Sequence, residues 1–366
     1  MTTLPLPSLR HLSRLTDDVG IIEHARFGEP WHEAGYCTDD AGRLLAVACG
    51  LSAEPAAHRL AAVALRFLSR AHEDCAGFRL RLGPDGRWRD DPPSDDATGR
   101  ALLGLGVAAA SAPWPEVRDG ARNLFRHAAG FRSKYRRATA YAALGAVALL
   151  SALPNDQAAR QLLVDAAATL PRARCDSEWP WPEPRLSYAN AVIPEALVAV
   201  GDALGDDEIL QTGLVLLGWL CAGERQSSWF SFTPVGGRGP GAEKPAFDQQ
   251  PIEAWSLASG CNRALVVTGA LQWGREVLRA ADWFCGANDL GTVMFDAKSG
   301  GGYDGLGPGR VNRNEGAEST LAFVATMREA RFALRWVQAH ASSRASASSR
   351  RGSDATAAPT WRSAAP

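Results

Sequence analysis

The sequence predicts an all-α fold, an (α/α)6 toroid of six helical hairpins spanning residues 1–340. Three observations carry that expectation. Apolar residues recur at spacings of three and four in segment after segment, with little strand pattern. The connections between segments alternate between short and long. The stretch D-D-A-G-R at 39–43 is echoed by D-D-A-T-G-R at 95–100, and each opens the first helix of a hairpin.

Taken in order, an amphipathic stretch at 17–27 has no predecessor. Paired stretches follow at 39–51 with 55–73, 96–111 with 115–129, 136–151 with 157–170, 190–204 with 206–222, and 251–268 with 270–285. A last stretch, 315–339, has no successor. Within 55–73, Leu60, Val63, Ala64, Phe67, Leu68 and Ala71 form one apolar stripe. Turns such as Ser52–Glu54, Ala112–Trp114 and Leu153–Asn155 are short enough to make antiparallel hairpins. Segments rich in Gly, Pro and Trp, near 75–95, 172–189, 224–250 and 286–314, join one hairpin to the next. Pairing 17–27 with 315–339 closes a ring; without that pairing the fold is an open solenoid. From 341 to 366 the chain is rich in Ser, Ala and Arg without an apolar face, and is expected to be a disordered tail.

Composition narrows the function classes. Of 366 residues 46% are apolar, which excludes wholesale disorder. With 39 basic and 40 acidic residues the formal charge is −1, so nothing points to nucleic acid or an anionic membrane as partner. No apolar run reaches about 18 residues, which argues against a membrane span. The start lacks the basic-then-apolar order of a secretory signal. Seven cysteines, at 37, 49, 75, 175, 221, 261 and 285, show no C-x-x-C spacing. They are expected as small buried hydrophobes in a reducing, cytoplasmic compartment. Histidine pairs at metal-ligand spacing, a phosphate loop and a G-x-S-x-G elbow are all missing, so neither metal nor cofactor is expected.

The polar residues that a core does not explain gather in the long loops and the first turns of the six inner helices. They are Tyr36, Asp39 and Asp40 in G-Y-C-T-D-D; Asp95, Asp96 and Arg100 in S-D-D-A-T-G-R; and Arg137 in K-Y-R-R-A. Tyr188 and Asn190 follow in L-S-Y-A-N, then Asp248, Gln249, Gln250, Glu253 and Trp255 in F-D-Q-Q-P-I-E-A-W. Asn312, Asn314, Glu315 and Glu318 close the set in N-R-N-E-G-A-E-S-T. In a toroid the inner N-termini open on one end, so these motifs line one funnel. Helix capping accounts for part of the pattern: Thr38, Ser94, Asn190 and Asn314 are good N-cap types, Pro251 suits the first helical position, and Gln250 with Glu253 fits a capping box. It leaves Tyr36, Arg43, Arg100, Tyr188, Trp255 and the doubled carboxylates unexplained.

Carboxylates among aromatic side chains suit a sugar, whose ring stacks on Trp or Tyr and whose hydroxyls are read by polar groups. Trp179 and Trp181 in W-P-W-P, and Asp304 in G-G-Y-D-G-L, are further candidates for binding. Cleavage of a glycosidic bond needs one protonated and one ionised carboxyl flanking it. Around the ring, only the second and fifth inner helices oppose carboxylates to carboxylates, Asp95 and Asp96 against Asp248 and Glu253. The expected acid is therefore Glu253 and the expected base Asp96, with Glu318 and Asp40 next. Asp39 with Arg43, and Asp96 with Arg100, are spaced for ion pairs one turn apart.

Together G-Y-C-T-D-D, S-Y-A-N-A-V-I-P-E-A-L, F-D-Q-Q-P-I-E-A-W, and G-G-Y-D-G-L followed by N-R-N-E-G-A-E-S-T-L resemble a family of poorly characterised bacterial proteins in the six-hairpin glycosidase superfamily. The resemblance covers about residues 15–330. It implies an (α/α)6 fold, carbohydrate metabolism and an oligosaccharide or glycan substrate. It also implies a possible glycosyltransferase partner, because such proteins occur beside or fused to glycosyltransferases and mannoside phosphorylases. Two departures stand out: Ala41 where the family has Asn, and Arg136-Arg137-Ala138-Thr139 in place of a Pro-Arg-Ala-Trp-like segment. The expectation is a glycoside hydrolase without cofactor. The alternatives are a non-catalytic glycan-binding partner of a glycosyltransferase and a glycosyltransferase itself, the latter disfavoured because no nucleotide-binding βαβ pattern is present.

Overall fold

The structure is a computed structural model describing residues 4–73, 77–90, 92–171 and 178–353. Cys75, Cys175 and residues 354–366 lie outside the described residues. Six helices form an inner ring: α2 (Thr38–Gly50), α4 (Asp95–Ser111), α6 (Arg136–Ala152), α8 (Val192–Leu204), α10 (Pro251–Thr268) and α12 (Ala317–Ser353). Each packs on the next, and α12 returns to α2, so the ring is closed. The outer ring holds α3 (Ala57–Ala71), α5 (Pro115–Ala128), α7 (Gln157–Thr169), α9 (Asp207–Glu224) and α11 (Leu271–Phe284), each against the inner helix before it in the chain.

The two rings differ as their sequences require. The outer α3 buries the stripe from Leu60 to Ala71, and α5 buries only Val117, Ala121, Phe125 and Ala128. An inner helix is covered from all sides, and α6 is buried without a break from Arg137 to Ala146. Glycine lets three inner helices approach closely. A Cβ at Gly104 would stand 2.3 Å from the Gly42 carbonyl oxygen, and one at Gly106 would stand 2.1 Å from that of Gly145. Contacts this tight between α2, α4 and α6 bring the first turns of these helices within reach of one another.

The sixth outer position differs from expectation. Residues 17–27 are not a helix; α1 (Arg10–Leu15) stands there instead, against α12. Asp17 diverts the chain, its Oδ1 accepting the N–H of Val19 at 2.8 Å and of Gly20 at 3.1 Å, a local turn that competes with helix. The terminal pairing survives through backbone bonds: Ala317 N–H donates to the Glu23 carbonyl at 3.1 Å, and Glu315 N–H to that of Phe27 at 2.9 Å. At the other end of the chain, only the backbone of 341–353 in the expected tail is described. That backbone continues α12.

The long connections gather at the N-terminal end of the inner ring and, among the described residues, carry five two-stranded ribbons, two or three residues to a strand. One joins Tyr36–Cys37 to Arg81–Leu82 just ahead of α2. Of the cysteines, Cys37, Cys49, Cys221 and Cys261 are buried as expected, while Cys285 is half-buried. No helix among the described residues is long and apolar enough to cross a membrane.

Candidate active site

The first turns of α2, α4 and α12 meet in one layer of alternating charge. Arg100 on α4 donates through a single nitrogen, Nη1, to Asp39 Oδ2 at 2.6 Å and to Asp96 Oδ2 at 3.0 Å. Arg43 on α2 donates to Asp40 Oδ1 at 2.7 Å and to Glu318 Oε2 at 2.7 Å. Two guanidiniums thus serve four carboxylates. Both arginines are buried, as is Asp40. The outer pair reaches solvent: the Glu318 side chain is 45% exposed and that of Asp96 31%. Burial pushes the Asp40 carboxyl up to about 7 against the pull of Arg43, and raises Asp39 as well. Asp39 Oδ1 is shielded and has no partner in the protein.

Tyr188 lies over this layer. Its hydroxyl donates to Asp96 Oδ2, and burial together with that carboxylate raises its pKa. The Arg100 guanidinium sits 5.5 Å from the centre of the Tyr188 ring and 4.8 Å from that of Tyr141, and that of Arg137 sits 5.0 Å from the Tyr188 ring. Arg137 holds the loop bearing Tyr188. It donates to the Tyr188 carbonyl at 2.6 Å, to Glu183 Oε2 at 2.6 Å and to Asn190 Oδ1 at 3.1 Å. Beside Asp96 and Tyr188 a cleft of about 410 Å3 opens, with Asp95, Lys134, Arg136 and Glu183 on its walls. Asp95 accepts from the Ser133 hydroxyl at 2.5 Å.

Of the four residues expected to carry catalysis, Asp40, Asp96 and Glu318 share this layer. Glu253 does not. It is buried beneath the turn before α8, where Oε1 accepts the Ala189 N–H and Oε2 accepts the Asn190 N–H at 3.2 Å and the Asn190 amide at 3.1 Å. Burial still raises its carboxyl to about 7 against the pull of those donors. Asp96 and Glu253 thus do not face each other across open space. They hold the same turn, one through the Tyr188 hydroxyl and the other through backbone N–H groups.

Several expected binding residues prove to hold loops in place. Gln249 is fully buried, accepting from the Phe232 N–H at 3.1 Å and the Trp283 indole at 2.9 Å. Glu315 is buried against His11 and accepts from Ser299 at 2.6 Å. Asp304 caps α12, accepting from the Gly316 N–H at 2.9 Å and from the Ser319 hydroxyl. Asn314 accepts from the Phe27 N–H at 2.9 Å, and exposed Asn312 accepts from the Asn314 N–H at 3.3 Å. Trp181 is buried and stacks on Trp219 of the outer α9, while Trp179 packs edge-on against the same ring and donates to the Glu183 carbonyl at 3.0 Å. The Tyr36 hydroxyl donates to Asp17 at 2.7 Å. Asp248 is exposed, and Trp255 lies inside the ring below the charge layer.

The local pairings also shift. Ser94 caps α4 as expected, but Gln250 makes no side-chain cap bond, so the capping box does not form. Asp39 does not pair with Arg43, whose guanidinium is taken up by Asp40 and Glu318; Asp96 with Arg100 does form. Tyr141 and Glu183 join the site unannounced, and Arg43, which was expected to pair with Asp39, joins it through Asp40 and Glu318. Arg43 carried a signal in its Asp-x-x-x-Arg spacing, whereas Tyr141 reads in sequence as one more apolar residue of an inner helix.

Among the described residues, no group of three His, Cys, Asp or Glu side chains is placed to share a metal ion. No protein-family model matches the chain, and no curated protein does. Solved structures do. A cellobiose 2-epimerase from Bacillus thermoamylovorans superposes with a TM-score of 0.67 at 14% identity, over 88% of this chain and 96% of that one. A D-mannose isomerase gives 0.63 at 12% identity, over 89% and 95%. A GH76 α-mannanase from Bacteroides thetaiotaomicron gives 0.59 at 11%, over 87% and 93%. The chain has the (α/α)6 toroid fold of these enzymes. At such identities the likeness is one of fold, and it runs over nearly the whole length of each.

Proposed function

We propose that the protein is a carbohydrate-active enzyme that hydrolyses a glycosidic bond at the loop end of the toroid. One observation carries the reading: four carboxylates and two arginines in a single layer, with Asp96 and Glu318 the most open to solvent. Paired carboxyls act on a glycosidic bond at separations of roughly 5–10 Å, one giving a proton and the other activating water or attacking directly. Asp96 and Glu318 flank the first turn of α2 and are the two that a substrate reaches. Asp39 and Asp40 stand behind them; burial raises both, and Asp40, at about 7, keeps a proton in the layer near neutral pH. Tyr188, exposed above Asp96, gives a sugar ring an aromatic face.

A second reading is isomerisation or epimerisation of a free sugar. The superposition on the epimerase and the isomerase, at higher TM-scores than on the mannanase, favours it. That chemistry moves a proton from the carbon beside a carbonyl, and the layer would have to supply a base for it. We place it second because the exposed groups are two carboxylates, the set that hydrolysis uses. A glycosyltransferase partner and a cytoplasmic location rest on the sequence reading alone.

Incubation with a panel of gluco- and manno-oligosaccharides and their reducing sugars in D2O, followed by NMR, tests both readings. Hydrolysis releases new reducing ends that Asp96→Asn and Glu318→Gln abolish. Deuterium entering at the carbon beside the carbonyl, without chain cleavage, overturns hydrolysis in favour of the second reading. Saturable glycan binding with neither reaction makes the protein a binder.

A further inference from the structure

The charge layer has an underside. Arg43 and Arg100 also bound a second cavity, of about 360 Å3, that runs along the axis of the toroid. One face of α10 forms its wall, from Ile252 through Trp255, Ser256 and Ser259 to Asn262 and Val266. Those positions recur every three or four residues and cover roughly 21 Å of helix. The cavity reaches Val107, Ala148 and exposed Val266 near the ends of their helices, and Arg328, whose guanidinium lies against Gly50 at the end of α2. It therefore opens at the short-turn end of the barrel, opposite the long loops.

Its far half is polar. Glu195 projects from α8, Asn262 and Arg263 from α10, and Arg328 and Glu329 from α12. Glu329 accepts from Arg328 at 2.7 Å and from the Asn262 amide. Asn262 Oδ1 and Arg263 Nε are shielded from solvent and have no partner in the protein. In this half Glu195 and Glu329 stand against Arg263 and Arg328, and Arg43 and Arg100 at the top of the cavity are already paired with the four carboxylates of the charge layer, so no arginine is left over to select an anion. Leu103, Leu144, Val192 and the Trp255 ring make the rest of the wall apolar.

We infer that this axial cavity is a second binding site, entered from the short-turn end, for a neutral polyhydroxy compound of monosaccharide size. A hydroxyl both donates and accepts, so neighbouring hydroxyls of one ligand satisfy the Asn262 oxygen and the Arg263 Nε–H together. The indole of Trp255 meets the C–H face of such a ring. The volume falls at the lower end of the range for small-ligand sites, roughly 300–1,000 Å3. Because Arg43 and Arg100 are shared, occupancy bears on the floor of the loop-end site. The inference does not depend on which reaction that site performs.

The test titrates D-glucose, D-mannose, glycerol and inorganic phosphate into the full chain, followed by tryptophan fluorescence and thermal shift. Wild type is compared with Asp96→Asn, Ser259→Phe and Asn262→Leu. The expected result is saturable binding of a hexose that Asp96→Asn leaves intact and that the two cavity variants weaken by roughly tenfold or more. Should Ser259→Phe fail to fold, Asn262→Leu carries the comparison. No saturation with any sugar, saturation with phosphate alone, or loss of hexose binding in Asp96→Asn with retention in Asn262→Leu would each overturn the inference.

Discussion

Glu253 holds Asn190 twice with one oxygen, accepting its backbone N–H at 3.2 Å and its side-chain amide at 3.1 Å. The other oxygen takes the neighbouring Ala189 N–H. A carboxylate on α10 thereby ties down the turn that enters α8 and presents Tyr188 to Asp96. Glu253→Leu removes every acceptor from these buried donors, and stranding buried polar groups costs about 1–3 kcal/mol. The expected drop in Tm is roughly 3–8 °C. Glu253→Gln retains one acceptor oxygen and is expected to fall between wild type and Leu in a thermal melt. If Leu and Gln melt with wild type, the turn is held by other means.

Stability should also decline as pH rises through neutrality. Asp40, Glu195 and Glu253 are each raised by burial to about 7, from ordinary carboxyl values. Between the unfolded and folded values the native state binds more protons than the unfolded chain, so the slope of stability against pH is negative. Their contribution is complete below about pH 4 and is lost by the time pH passes about 7. Melts from pH 5 to 8 are expected to lose several degrees. Asp40→Asn, which stays neutral, should flatten part of that slope.

The helices were legible and the pairings were not. Apolar periodicity places eleven of the twelve helices because burial writes a local pattern into the chain. The twelfth, at 17–27, failed because Asp17 offers the backbone a competing turn. Gathering the polar motifs at the inner N-termini picked out Asp40, Asp96 and Glu318, which ring topology brings into one layer. Which carboxylate meets which arginine depends on rotamers of long side chains crossing between helices. Arg100 reaches Asp39, 61 residues earlier, and Arg43 bypasses its own Asp39 for Glu318 on the last inner helix. Opposition across the ring was a poor guide for Glu253 because the loop before α8 comes between it and Asp96.

Removing the chain after His340 should leave the fold intact. The ring contacts of α12 come from its first turns, where Ala317 bonds to Glu23 and buried Leu321, Val324 and Met327 pack into the core. Among the residues whose burial is described, Ala333 is the last buried one, and Gln338 through His340 are exposed. A truncated chain is expected to melt within about 1 °C of the full chain, since surface changes rarely exceed about 0.5 kcal/mol. A larger fall would mean that the helical extension docks on the body.

The charge layer allows catalytic and structural roles to be separated by experiment. Asp96 and Glu318 are the carboxylates that reach solvent, whereas Arg100 is buried between Asp39 and Asp96. Asp96→Asn keeps the shape and can still accept from Tyr188 and Arg100. Its Tm should hold within a few degrees, while turnover of a confirmed glycan falls by roughly 10²–10⁴, the range for losing a general acid or base. Glu318→Gln should behave the same way. Arg100→Met is different in kind: it leaves two carboxylates crowded without their shared cation, a loss of about 3–5 kcal/mol for breaking a buried pair. It should lower both Tm and turnover, and Asp39→Asn introduced beside it should recover part of the Tm by removing one of the stranded charges. If Asp96→Asn and Glu318→Gln lose stability in step with activity, the layer is a structural clasp and the chemistry lies elsewhere.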